Sequence, residues 1–295
     1  SPMDGSLAME GTSPDLVGLR QTAVRAIPAT GPCHASVADG MLHVAGYGNG
    51  VIASVPLDAY GDFIGEAVIR HDPAAWPVMP TWQPDPEGSD TPSTVPPVSP
   101  LPPSHAHQVL PTPDGGYLAC TDLARDTVSV IPLSSDSSPL HINTASSGSI
   151  SSSSTKSAIH PVPFVLQLPA GSGPRHLVFS RDGRFAYVCG ELDNRLHRLA
   201  YEAGVFRHLD SRSTLPTLPD LQSGPDFPPE PDFPTGRSIQ TEPVLPTTTS
   251  PPKSYCGAIR RSPGGRWLLV SNRGCDTIAV FPTHADGSVG LPNQY

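Results

Sequence analysis

The chain has 295 residues, a formal net charge of −9 and no basic run of five or more residues. That excludes the clustered Lys and Arg that nucleic-acid phosphates require. Apolar residues make up 37% and never form the ~18–20-residue run of a membrane span. With 38 prolines and 27 glycines, the chain would border on low complexity if these were evenly spread, so their distribution decides the reading.

The first residues, "SPMDGSLAME", have neither a basic start nor an apolar stretch, so no signal peptide is expected there. The first organised unit, 31–67, reads "GPCHASVADGMLHVAGYGNGVIASVPLDAYGDFIGEA". A proline-rich stretch follows over 76–104 and is expected to be an insertion without core. The second unit, 105–133, is "HAHQVLPTPDGGYLACTDLARDTVSVIPL", and the serine-rich stretch 134–156 after it is a second expected insertion. The third unit, 173–206, is "GPRHLVFSRDGRFAYVCGELDNRLHRLAYEAGVF". The proline-rich stretch 213–253 precedes the fourth unit, 255–290, "YCGAIRRSPGGRWLLVSNRGCDTIAVFPTHADGSVG".

The four units share one plan: an apolar run, a turn (ADG, PDG, RDG or PGG), a second run, a polar turn and a third run. The last part repeats almost letter for letter, as "DTVSVIP" and "DTIAVFP". The runs are short, rich in Val, Ile, Leu and aromatics, and bounded by Gly and Asp, which is strand and hairpin chemistry. No helical period of useful length competes with it. Repeated antiparallel units of three or four strands predict an all-β fold, a single β-propeller over residues 1–295 in which each blade buries its faces on its neighbours. The units lie roughly 70–80 residues apart, beyond the ~40–50 of compact blades, and the insertions supply the excess. Cys33, Cys120, Cys189, Cys256 and Cys275 show no CxxC or zinc spacing, so free thiols in a reducing compartment are expected.

Superposing the units places Tyr47, Asp122, Glu191 and Arg273 together at the end of the second strand, within "HVAGYG", "ACTDLA", "VCGELD" and "VSNRGC". At the start of the first strand, seven residues before the turn Asp, stand His107 and Arg175. Because the strands are antiparallel, all six fall on one edge of the sheets, and the innermost strand opens that edge on the channel. Taken singly, each has a plainer reading: Asp122 as a turn-capping carboxylate, Tyr47 as packing, His107 as a strand histidine. Together they are residues that diverge on a frame that repeats, and convergent charge of both signs in a channel describes a binding site. His176 lies one position off this register.

"SHAHQVLPTPDG", "GSGPRHLVFSRDGRFAYVCGELDN" and "VSNRGCDTIAVF" resemble the seven-bladed lactonase propellers, a family holding the bacterial-type 6-phosphogluconolactonases and the fungal carboxy-cis,cis-muconate cyclase. The resemblance covers the four units, about half of the chain. It implies a catalytic set of His107, Arg175, Glu191 and Arg273. Tyr47 and Asp122 from the superposed rim, Asn272 of the motif and His105, two residues before His107 on the same strand face, are the substrate-binding candidates. The chain departs from the pattern at Gly46 and Gly190, where the family carries asparagine, and at the fourth turn, Pro263-Gly264-Gly265. Only about four of seven blades are recognisable, so the propeller is expected to be incomplete.

The expected activity is hydrolysis of a sugar lactone, 6-phosphogluconolactone first, as in the pentose phosphate route. His107 would serve as base, the arginines would hold an anion or the oxyanion, and Glu191 would orient them or act as base itself. A muconate-type cyclase and a truncated, non-catalytic scaffold are the alternatives. His105 and His107 form an H-x-H pair, but no carboxylate or Cys has matching spacing, so neither a metal nor a cofactor is expected. The expected partner is a small anionic lactone bound by a monomer in the cytoplasm, a plastid being the alternative, with no nucleic-acid or membrane partner.

Overall fold

A computed structural model describes residues 23–74, 102–133, 164–216 and 253–295. These form four antiparallel sheets of four strands, with no helix among the described residues. The first holds β1 (Pro32–Ala38), β2 (Met41–Gly46), β3 (Ile52–Pro56) and β4 (Val68–His71). The second holds β5 (Ala106–Pro111), β6 (Tyr117–Asp122), β7 (Thr127–Pro132) and β8 (Phe164–Gln167). The third holds β9 (Pro174–Phe179), β10 (Phe185–Gly190), β11 (Arg195–Glu202) and β12 (Val205–Ser213). The fourth holds β13 (Tyr255–Arg261), β14 (Trp267–Arg273), β15 (Thr277–Pro282) and β16 (Asn293–Gln294). In every sheet the strands pair in chain order, and β5 packs against β1 on one side and β9 on the other, while β9 also packs against β13. The first strands therefore stand side by side around the channel, as the repeat predicts for propeller blades. The five cysteines carry free thiols.

Turn chemistry explains the repeat. The glycine of each first turn, Gly40, Gly115, Gly183 and Gly265, has φ between +67° and +76°, a backbone that side chains strain to adopt. The second turns also end in a left-handed residue, and here the sequence uses Gly50, Asp126, Asn194 and Asp276. This is why "DTV" and "DTI" recur: Asp and Asn tolerate that conformation better than other side chains.

The sheets are joined by apolar layers. Leu177, Val188, Leu199 and Phe206 of the third sheet bury themselves against Tyr117, Val128, Val130 and Leu166 of the second. Ile259, Leu268, Val270 and Phe281 of the fourth pack on Tyr187, Cys189 and Leu196 of the third. Each such side chain contributes about 1.5–3 kcal/mol by leaving water.

The expected insertions at 76–104, 134–156 and 213–253 lie largely outside the described residues. Their margins correct the boundaries. Ser104 is buried against Asp122, Ser213 ends β12, and Thr214 is fully buried and hydrogen-bonded to Asn272. Short polar residues next to a proline run can still belong to the fold when their hydroxyls cap a strand end.

Candidate functional site

The inner strands carry an irregularity at one place in all four sheets. Pairing slips between Pro32 and His34, between Ala106 and Gln108, opposite the Cys189–Gly190 step, and between Cys256 and Ile259. The residues at the slip are Cys33, His107, Arg175 and Gly257. A bulge frees a carbonyl from the ladder and re-aims its side chain. Here the freed carbonyls accept from the preceding sheet: His107 O from Cys33 Sγ at 3.4 Å, Arg175 O from Thr121 Oγ1 at 2.7 Å, and Gly257 O from an Arg175 Nη1. Each sheet thus fixes the bulge of the next. Asp126 adds a second clamp, accepting from the backbone of Gly171 and Gly173 ahead of β9 at 2.8 and 2.7 Å.

Two groups of side chains meet at this level. In one, Glu191 lies between two arginines, with Arg175 Nε 2.9 Å from Oε2 and Arg273 Nη2 2.7 Å from Oε1. The Arg175 contact is one of charge rather than an aligned hydrogen bond. The Arg175 and Glu191 side chains are each 19% exposed, whereas Arg273 is 51% exposed. In the other group, Tyr47 stacks on His105 with ring centroids 4.4 Å apart, and His105 Nδ1 donates to Tyr47 O at 2.7 Å. The His107 ring stands edge-on to Tyr47 at 5.7 Å and to His176 at 5.2 Å. His107 Nδ1 is buried without a hydrogen-bond partner.

Burial and then the Arg175 charge push His107 down to about 4, while Glu191 pulls weakly the other way. Burial, Arg175 and the neighbouring histidines bring His176 to about 3. His34 is lowered by burial and by Arg260. The channel therefore holds neutral imidazoles beside guanidinium groups.

Two of the sequence-placed residues do not face the opening. Asp122 is off register by one position: Tyr47, Leu123 and Glu191 are the equivalents, each donating its backbone N–H to a carbonyl ahead of the inner strand. Asp122 sits where the other sheets have Gly46, Gly190 and Asn272. Its buried carboxylate accepts from Ser104 Oγ and from the backbone of His105, Ala124 and Arg125. Asn272 is likewise buried and bonded to Thr214 and Thr277. Both brace the rim. The departures at Gly46 and Gly190 are explained by the same cradle, since a Cβ there would meet Asn49 Oδ1 at 2.8 Å and Asp193 Oδ1 at 2.1 Å. The polar group has moved three residues along the chain.

The reverse correction concerns His176. Set aside as off register, it touches His107, because the bulge turns consecutive residues toward one space. Cys33, His34 and Gln108 join the channel for the same reason. His34 lies 5.8 Å from His176, and Gln108 accepts from Leu177 N at 2.5 Å. "PRH" and "HAHQ" beside "PCH" held that signal. Among the described residues, no group of three His, Cys, Asp or Glu is arranged to hold a metal ion, and no helix is long and apolar enough to cross a membrane.

Four-stranded sheets set around a channel, with bulged inner strands and a charged rim, define a β-propeller. The chain belongs to the family described as lactonase, 7-bladed beta-propeller, which matches residues 4–294. An uncharacterized protein of Staphylococcus epidermidis is 30% identical over 184 residues, 62% of this chain and 38% of that protein. The crystal structure of a protein from Lactobacillus plantarum superposes with a TM-score of 0.54 at 28% identity, covering 89% of this chain and 57% of the other. A periplasmic gluconolactonase of Pseudomonas aeruginosa shares the fold at 24% identity and a TM-score of 0.54, covering 90% and 57%. The chain thus spans well under two thirds of the length of each.

Proposed function

We propose that the chain hydrolyses a sugar lactone at the channel mouth, with 6-phosphogluconolactone as the substrate. The observation that carries this reading is the Arg175–Glu191–Arg273 bridge beside a neutral His107. Membership of the lactonase family supports it.

A lactone is an ester, so hydrolysis requires a water deprotonated as it attacks, a place for the oxyanion and a grip on the substrate. His107 is held neutral by burial and by the Arg175 charge, and a neutral imidazole can take the proton from that water. Arg175, pinned by Glu191 and by Gly257 O, is the fixed donor toward the oxyanion. Arg273 is more exposed and fits the substrate's anionic group. The Arg175 charge that depresses His107 also sets a condition. Negative charge gathering on the substrate beside Arg175 offsets that push, so His107 becomes a better base when substrate is present. Glu191 keeps two like charges close together and aims both.

The test is acid release from freshly prepared 6-phosphogluconolactone, read against its spontaneous opening. The expected result is acceleration that is abolished in His107→Ala and Arg175→Ala chains that still melt cooperatively. Folded wild-type chain giving only the spontaneous rate would overturn the proposal, as would variants hydrolysing at the wild-type rate.

A further inference from the structure

At the opposite end of the same hairpins, a cleft of about 580 Å³ opens between the third and fourth sheets. It is formed by the turns at 180–184 and 262–266 and by the segment 283–287, far from the channel mouth in the sense of strand direction. Its lining carries Arg181, Arg184, Arg261 and Arg266, with Asp182 and His284 beside them. Four cations against one carboxylate is an unusual balance in a chain of net charge −9.

The carboxylates of this edge are already spent. Asp182 accepts from Arg184 Nε at 2.6 Å and from Ser180 Oγ at 2.6 Å. Asp286, just outside the lining, accepts from the Ser288 backbone and hydroxyl at 2.9 and 2.7 Å. Arg184 is also held by Ala285 O at 3.3 Å. Arg261 is different, because its Nη1 is buried and has no hydrogen-bond partner. Among the described residues no ion pair or hydrogen bond engages Arg181. The two converge on Gly265, where a Cβ would lie 3.1 Å from Arg261 Nη1 and 3.6 Å from Arg181 Cβ. Gly265 has φ +76°, and the Arg261 guanidinium takes the room that a side chain there would need. A buried cationic donor without an acceptor is costly, and in a native fold it calls for a partner.

We infer that this cleft is a second site, one that binds a small phosphate-bearing molecule between Arg181 of the third sheet and Arg261 of the fourth. A tetrahedral dianion offers oxygens to two guanidinium forks arriving from different directions, which a single planar carboxylate does less well. The cleft is larger than a bare ion needs and falls within the range of small-molecule pockets. Because its two arginines come from neighbouring sheets, the ligand ties the blades together, and their stability rises with the logarithm of its concentration once that exceeds Kd. This inference stands apart from the lactonase reading and shares no residue with it.

The test is calorimetric titration of the chain with inorganic phosphate and, separately, with glucose 6-phosphate. R181Q/R261Q is expected to weaken binding about tenfold or more through loss of charge-assisted hydrogen bonds, with lactone hydrolysis unchanged. R175Q/R273Q, altered at the channel mouth, is expected to retain this binding. Tighter binding of the sugar phosphate than of phosphate would place the sugar in the cleft, and equal binding would limit recognition to the phosphate group. Where the double variant does not fold, as read by circular dichroism, R181Q alone decides, since Arg181 lies on the surface. Binding undiminished by these changes, or none detectable at about 10 mM phosphate, would overturn the inference.

Discussion

In the second sheet, Asp122 ends β6 and turns its carboxylate onto three backbone N–H groups and the Ser104 hydroxyl. In the third sheet the same place is Gly190, and the space a side chain would fill is taken by Asp193, which bonds the backbone of Arg195 and the ring of His197. The next residue is Leu123 in one sheet and Glu191 in the other, and only Glu191 reaches arginines from two sheets. Two adjacent positions thus have separate tasks. The first closes the strand end and can be met by Asp, by Asn or by Gly with a polar residue three places on. The second faces the channel and varies with its chemistry.

Glu191→Gln breaks this division where it matters most for activity. It removes the charge holding Arg175 and Arg273 together, and lactone hydrolysis is expected to fall about 10²–10³-fold, the range for losing an electrostatic element of a transition-state site. Leu123→Ala at the equivalent place is expected to leave the rate near wild type. Equal losses from both changes, measured as kcat/KM, would mean that the second position is structural as well.

Asp122→Ala attacks the bracing position. Four donors lose their acceptor, and the expected destabilisation is about 3 kcal/mol, at 1–3 kcal/mol for each buried donor left unpaired and with partial rescue by water. Asp193→Ala, with fewer bonds at stake, should cost about 1 kcal/mol by the same rule. Urea unfolding distinguishes them, and the reverse order would show that the third sheet leans on its displaced carboxylate more than the second does on Asp122.

Gly190→Ala sharpens the comparison from the side of space. The new methyl would meet Asp193 Oδ1 at 2.1 Å and the Ser172 carbonyl at 2.7 Å. The side chain can swing away but the carbonyl cannot, so a loss of about 2 kcal/mol in urea midpoints is expected, typical of overpacking. No loss would mean that the Gly173 entry loop shifts freely.

The frame was legible in the sequence because it is periodic. Turn glycines, alternating apolar runs and the repeated "DT" follow from backbone rules that act locally. The fourth strands were not: β8 follows the serine-rich stretch and β16 has two residues, so neither carries a pattern of its own. Of the candidate site, the arginines, Glu191 and His107 were legible as departures from a repeating frame. The one-residue error at Asp122 has a physical cause. Superposing the strand-end motifs pairs Asp122 with Glu191, whereas the ladder pairs it with Gly190, and a bulge leaves no mark in composition. His176 was lost to the same bulge, which brings neighbouring residues to one side where simple alternation would separate them.

His107 of the second sheet and His176 of the third offer the finest comparison, since both are neutral for related reasons but differ in burial. Unfolded, each titrates near 6.5; folded, they stand at about 4 and about 3. As pH falls below 6.5 the unfolded chain takes up protons that the folded chain refuses, so stability drops with acidification. The loss accrues down to about 4 for His107 and about 3 for His176, then levels off. Above 6.5 neither histidine affects stability. At about pH 5 each should cost on the order of 1 kcal/mol after allowance for partial exposure. His176→Gln should therefore flatten the stability profile between pH 6.5 and 4 while leaving the value at pH 8 nearly unchanged, and His107→Gln should do so less below pH 4. The same depression moves the acid limb of kcat/KM toward 4 instead of 6.5, because a base must be unprotonated to act. A limb found at 6.5 would show that His107 is solvated in the working enzyme, and the neutral-imidazole account of the channel would then fail for the second sheet before the third.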